Sequence, residues 1–195
     1  MRISQDMAMD ILSAIVAERW VVKRDRAGRV ILCRKPVFAG DREFTKAQKG
    51  QQGRFREAAL YAKSAVAREA IYNQIAAGTA RTGYNVAIAD WFHPPEIEMI
   101  DLSGWTGRPG ESIAIKALDD VMVRRVTVMI ADGEDRVIEQ GEAVPEEAQE
   151  ADASWWVYMT AEMAPDHSRV IVTAEDLPGH ATQEVAEMAA QEKAA

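Results

Sequence analysis

Val170-Ile171-Val172-Thr173-Ala174-Glu175-Asp176-Leu177-Pro178-Gly179-His180 is the stretch on which the fold turns. Val170, Val172 and Ala174 fall on one side of an extended chain, the two-residue period of a strand with one buried face. Pro178-Gly179 ends the run, since proline fixes φ and glycine reaches angles closed to other residues. The same period recurs upstream at Val126, Val128 and Ile130, at Ile113, Ile115 and Ala117, and at Ile97 and Met99, with Leu102 an optional continuation one residue out of step. Trp155, Val157 and Met159 share one face of a further strand, with Trp156, Tyr158 and Thr160 on the other. Residues 136–140 and 181–187 add short strands. Turn signals separate them: Thr106-Gly107-Arg108-Pro109-Gly110, Asp132-Gly133, Pro165-Asp166 and Pro178-Gly179. About seven short strands with regular turns and no intervening helical period predict an antiparallel β-sandwich.

Upstream of His93-Pro94-Pro95 the character changes. Proline disfavours helix in the residue before it, so a helix is expected to stop there. Ser4 caps an expected helix with apolar residues Met7, Ile11, Leu12, Ile15 and Val16 at three- and four-residue steps. Trp20-Val21-Val22 and Val30-Ile31-Leu32 read as a hairpin around Asp25-Arg26-Ala27-Gly28, and residues 35–44 as loop. One long helix is predicted from Thr45 to Ala77. Phe55, Ala59, Ala62, Val66 and Ala70 form one apolar stripe on it. Leu60, Ala67, Ile71 and Ile75 form a second. Small side chains let another helix come close. Two apolar faces need two partners: either the first helix and a second copy of the chain, or the hairpin and the segment 84–91. The predicted class is therefore α+β in two domains: residues 1–93 helical with a hairpin, residues 94–188 a sandwich, and residues 189–195 a tail.

The charge is polarised. Residues 1–93 hold 16 Lys+Arg and 9 Asp+Glu, or +7; residues 94–195 hold 7 and 22, or −15; the chain total is −8. An acidic total argues against a protein that coats nucleic acid with its whole surface. The basic half keeps a nucleic-acid reading open through Arg24, Arg26, Arg29, Arg34, Lys35 and Arg42, followed by Lys46, Lys49, Arg54 and Arg56. The competing explanation is attraction to an acidic half, in the same chain or a neighbour. The single cysteine, Cys33, excludes an internal disulfide framework. No signal-peptide pattern and no run approaching 20 apolar residues occurs, so synthesis and folding in a reducing cytoplasm are expected, with no membrane span.

The second half resembles the bacterial immunoglobulin-like domains over residues 96–188. Pro109-Gly110-Glu111-Ser112-Ile113-Ala114-Ile115-Lys116-Ala117 looks like the second strand of such a domain, and Asp119-Asp120 with Val123, Val126 and Val128 like the third. Trp156-Val157-Tyr158 looks like its aromatic strand, and Val172 through His180 like its sixth strand and turn. His180 stands where that turn often carries Asn, and there is no Cys pair. Gln51-Gln52-Gly53-Arg54-Phe55-Arg56-Glu57-Ala58 is similar to a stretch in short proteins of bacterial and prophage genomes. Immunoglobulin-like domains appended to phage structural proteins make a virion or other assembled surface an expected setting.

No residue set demands a reaction. His93, His167 and His180 lack partners at metal-ligand spacing. Asp119, Asp120, Asp132, Glu134, Asp135 and Asp176 invite calcium but match no helical calcium loop, and turn-forming roles explain them. Gly-x-Ser-x-Gly is absent, and the glycine-rich segment 104–110 lacks the end of a phosphate loop. The expectation is a non-enzyme with no catalytic residues, cofactor or metal. Its function would be structural: self-assembly of the helical half through Phe55, Ala59, Ala62, Val66 and Ala70, with the sandwich displayed outward. Its partners would be copies of itself and other structural proteins of the same virion, filament or surface layer. The alternative is a binding or adhesion module that recognises a glycan or protein through Trp105, Trp155 or Trp156. The weaker alternative is a regulator touching nucleic acid.

Overall fold

The computed structural model describes residues 20–24, 28–37, 40, 43–146 and 155–188. In chain order the strands are β1 (Trp20–Arg24), β2 (Val30–Arg34), β3 (Glu96–Asp101), β4 (Ser112–Leu118), β5 (Val123–Ala131), β6 (Val137–Glu142), β7 (Val144–Pro145), β8 (Trp155–Met159), β9 (Arg169–Asp176) and β10 (Ala181–Glu187). Between β2 and β3 run three helices, α1 (Lys46–Arg68), α2 (Ala70–Ala76) and α3 (Gly83–Phe92). The class is mixed α+β, and every strand pair is antiparallel.

Strands β3 to β10 form two four-stranded sheets, ordered β3-β4-β8-β7 and β10-β9-β5-β6. Period two explains why they close on one another. Along β4 the residues Ile113, Ile115 and Ala117 are fully buried, and along β9 so are Val170, Val172 and Ala174. One apolar core joins these to Val126, Val128 and Ile130 of β5 and to Trp156 and Tyr158 of β8. Each buried Val or Ile contributes about 1.5–3 kcal/mol relative to exposure. The strand β7 was not foreseen; it carries the chain from β6 in one sheet to β8 in the other.

The long helix predicted over 45–77 is two helices. Thr45 opens α1 with a capping box: its hydroxyl accepts from Gln48 N–H at 3.2 Å, and Gln48 Oε1 accepts from Thr45 N–H at 3.0 Å. The helix stops at Glu69, whose backbone is extended (φ −108°, ψ 102°). No proline or glycine lies there, so packing overrides propensity. The break turns Tyr72 of α2 inward, where it is fully buried. Thr82 caps α3, accepting from Asn85 N–H at 3.1 Å.

The apolar rows of α1 also divide differently from the prediction. Ala58, Ala62 and Ala65 are the fully buried row. Ala62 and Ala65 pack with Tyr72 of α2 and with Val86 and Ala87 of α3. Of the predicted assembly stripe, Ala62 therefore faces the chain's own core, with Val66 packed at the margin of the same core. Ala59 is half-buried, Phe55 is exposed, and Ala70 is exposed beyond the break. The expected helix from Ser4 lies outside the described residues.

The helical part rests on one end of the sandwich. Val121, between β4 and β5, and Leu177, after β9, pack against its core. Trp91 meets His180 edge-on, with ring centroids 5.1 Å apart. His93 Nδ1 lies 2.6 Å from Asp120 Oδ2.

Candidate functional site

The expected hairpin forms as β1–β2, with Trp20 opposite Arg34 and Arg24 opposite Val30, and Gly28 stands at φ +77° in its turn. What the sequence did not disclose is that, among the described residues, no other strand pairs with it. It forms a separate two-stranded sheet, and Val30 and Leu32 are 54% and 55% exposed. Val21 and Ile31 are also exposed. Apolar side chains thus face outward beside the cations Lys23, Arg34 and Lys35, with Arg34 over the Trp20 ring at 5.4 Å. Cys33 is half-buried, its Sγ 3.5 Å from Val21 O. At the start of α1 a groove of about 450 Å³ is lined by Phe44, Gln48, Gln51, Gln52 and Phe55. Exposed large apolar side chains occur in both halves; in the N-terminal half they gather on the hairpin and at the start of α1.

The proposed recognition aromatics are not on one surface. Trp105 and Trp156 belong to the sandwich core, 3% and 8% exposed, and Trp155 is half-buried. No stacking platform is formed by the three. A cleft of about 590 Å³ opens at the rim between the sheets, lined by Arg124, Arg125, Glu142, Val144, Pro145 and Glu175 among others. Arg125 there binds Glu175 and lies 3.6 Å from Glu142, tying three strands together. Of the carboxylates offered for calcium, Asp119, Asp132 and Asp176 are occupied with turns, while Asp120, Glu134 and Asp135 pair with His93, Arg136 and Arg169. Asp132 accepts from Glu134 and Arg136 N–H, and Asp119 from Val121 and Met122 N–H. Among the described residues, no group of three or more His, Cys, Asp or Glu is arranged to hold a metal ion.

The junction of helices and sandwich holds a polar network that sequence reading missed. Tyr72 donates to Asp90 Oδ2 at 2.5 Å. Tyr61 therefore donates to Tyr72, at 2.6 Å. Asp90 and Asp176 are both fully buried. Burial, with Asp119 and Asp176 nearby, pushes the Asp90 carboxyl up to about 7, against the lowering effect of the Tyr72 bond. Burial also raises Asp176, although Gly179 N–H, His180 N–H and the His180 ring oppose the shift. Burial raises the Tyr72 hydroxyl as well, and its bond to the Asp90 carboxyl adds to the shift.

No protein-family model matches the chain, and no curated protein matches it. Among solved structures, the crystal structure of CopC from Methylosinus trichosporium OB3b aligns with 48% of this chain and 89% of its own, at 14% identity and a TM-score of 0.34. That likeness is too loose to carry an argument about this chain. No described helix is long and apolar enough to cross a membrane.

Proposed function

We propose that this chain is a non-catalytic structural protein. It assembles with copies of itself through its N-terminal half and displays an acidic immunoglobulin-like sandwich, as a subunit of a virion, filament or surface layer. The strand orders β3-β4-β8-β7 and β10-β9-β5-β6 support the immunoglobulin-like reading. They match an ABED sheet opposite a GFC sheet extended by one further strand.

The observation that carries assembly is the β1–β2 hairpin. An isolated two-stranded ribbon is marginal in water, and here it exposes Val30 and Leu32 by more than half. A second copy suits it by charge: the N-terminal half is +7 and the C-terminal half −15. Because Trp105 and Trp156 are buried, a glycan-recognition reading lacks the exposed aromatic face it needs.

The test is particle mass by light scattering and negative-stain microscopy, for the native chain and for Val30→Asp with Leu32→Asp. An oligomer that the double variant reduces to a folded monomer supports the reading. A native chain that stays monomeric at high concentration overturns it, and salt-sensitive DNA binding by that monomer would favour the nucleic-acid alternative.

A further inference from the structure

Four polar side chains from four segments meet where the helical part sits on the sandwich: Tyr61 of α1, Tyr72 of α2, Asp90 of α3 and Asp119 from the loop before β5. Each carboxyl has one oxygen satisfied. Asp90 Oδ2 accepts from Tyr72 at 2.5 Å, and Asp119 Oδ2 accepts from Val121 and Met122 N–H at 2.9 Å each. The other oxygen of each, Asp90 Oδ1 and Asp119 Oδ1, is buried and has no donor among the described residues. The two carboxyls are nonetheless hydrogen-bonding neighbours.

Ionised carboxylates only accept, so a bond between two of them requires one proton. A single proton on Asp90 Oδ1, donated to Asp119 Oδ1, satisfies both orphan oxygens at once. Asp90 is the natural holder. It is fully buried and has one donor on its other oxygen, whereas Asp119 has two. Losing that proton would leave two like charges side by side out of water, one on the helical part and one on the sandwich, with Asp176 close by.

We propose that Asp90 holds a proton that it donates to Asp119, and that this proton is a pH-sensitive latch fastening the helical part to the sandwich. Around it stand Tyr61 and Tyr72 from the helices and Glu69 at the break between them. From the sandwich side come Asp176, already bonded to Gly179 N–H, His180 N–H and the His180 ring, and the exposed Asp120, which pairs with His93 at the end of α3. The closed junction binds a proton that the open junction releases, so the latch weakens as pH rises and is gone once Asp90 has ionised.

Amide hydrogen exchange of α3, corrected for the intrinsic pH dependence of exchange, reads this directly. The opening constant is expected to rise about tenfold per pH unit between about pH 5 and 7, then level off. Asp119→Asn supplies a permanent donor to Asp90 and should flatten that slope. His180→Gln and His93→Gln should leave it unchanged. An opening constant of the native chain that is flat over this range overturns the proposal, as does a slope that survives Asp119→Asn and vanishes in His180→Gln. If Asp119→Asn does not fold, infrared spectroscopy of the native chain decides. A buried protonated-carboxyl band that bleaches as pH is raised is the expected result, and its absence overturns the latch.

Discussion

Gly107 and Ala164 are held back to back. Ala164 N–H donates to Gly107 O at 2.8 Å, and a Cβ on Gly107 would stand 2.6 Å from the Ala164 carbonyl oxygen. Gly107 also has φ +88°, in the left-handed region. This contact closes the loop that carries Trp105 into the core. Gly107→Ala should therefore cost about 1–3 kcal/mol of sandwich stability. Urea denaturation followed by near-ultraviolet circular dichroism checks it, and a variant as stable as the native chain contradicts the packing described.

Ala62 is fully buried against α2 and α3. Ala62→Arg puts an unpaired charge there, at a cost of about 3–5 kcal/mol. The helical circular-dichroism signal should fall while the β signal stays. Leu60→Arg, at a position 66% exposed, should change subunit stability by no more than about 0.5 kcal/mol.

Tyr72→Phe removes the donor to Asp90 and the acceptor for Tyr61. Leaving buried groups without partners costs about 1–3 kcal/mol. Because Tyr72 belongs to the helical core, unfolding of the helices should shift to lower urea while the sandwich transition keeps its midpoint.

The carboxyls give opposite pH signs. Glu111 is held below its ordinary range, first by Thr106 N–H and then by the Thr106 hydroxyl. Asp132 is lowered chiefly by Arg136 N–H and then by the Arg136 side chain. A lowered carboxyl adds stability that is present above its unfolded pKa and lost as pH falls. Asp90 is raised to about 7 from 3.8, so the folded chain binds the extra proton between those values and stability declines as pH climbs through them. The denaturation midpoint should peak near about pH 4–5 and decline toward pH 7. Asp90→Asn should shrink the decline, leaving the part that the raised Asp176 contributes, and keep the acid limb in place.

The sheets were legible because residues such as Ile113, Ile115, Val170 and Val172 repeat at two, a spacing only a half-buried strand uses. The hairpin was legible from its turn. The helix break was not, because Arg68-Glu69-Ala70 contains no breaker and the cause lies in Tyr72 reaching Asp90. The apolar stripe from Phe55 to Ala70 was visible as a stripe, but α3 covers only one margin of it, so Ala62 went inside and Phe55 stayed out. Asp90 sits among apolar neighbours, Ala89 and Trp91, and its partners Tyr72 and Asp119 are distant in the chain. No local pattern announces such a pair.

The extended residue at Glu69 makes native packing and helix content compete. In an unbroken helix Tyr61 and Tyr72, eleven residues apart, would be spaced about 16 Å along the axis. Their hydroxyls touch only because one residue leaves the spiral. A helix-promoting cosolvent should thus raise the apparent helicity of this chain while dismantling the Tyr61–Tyr72–Asp90 relay, so a larger helical signal would report a less native protein.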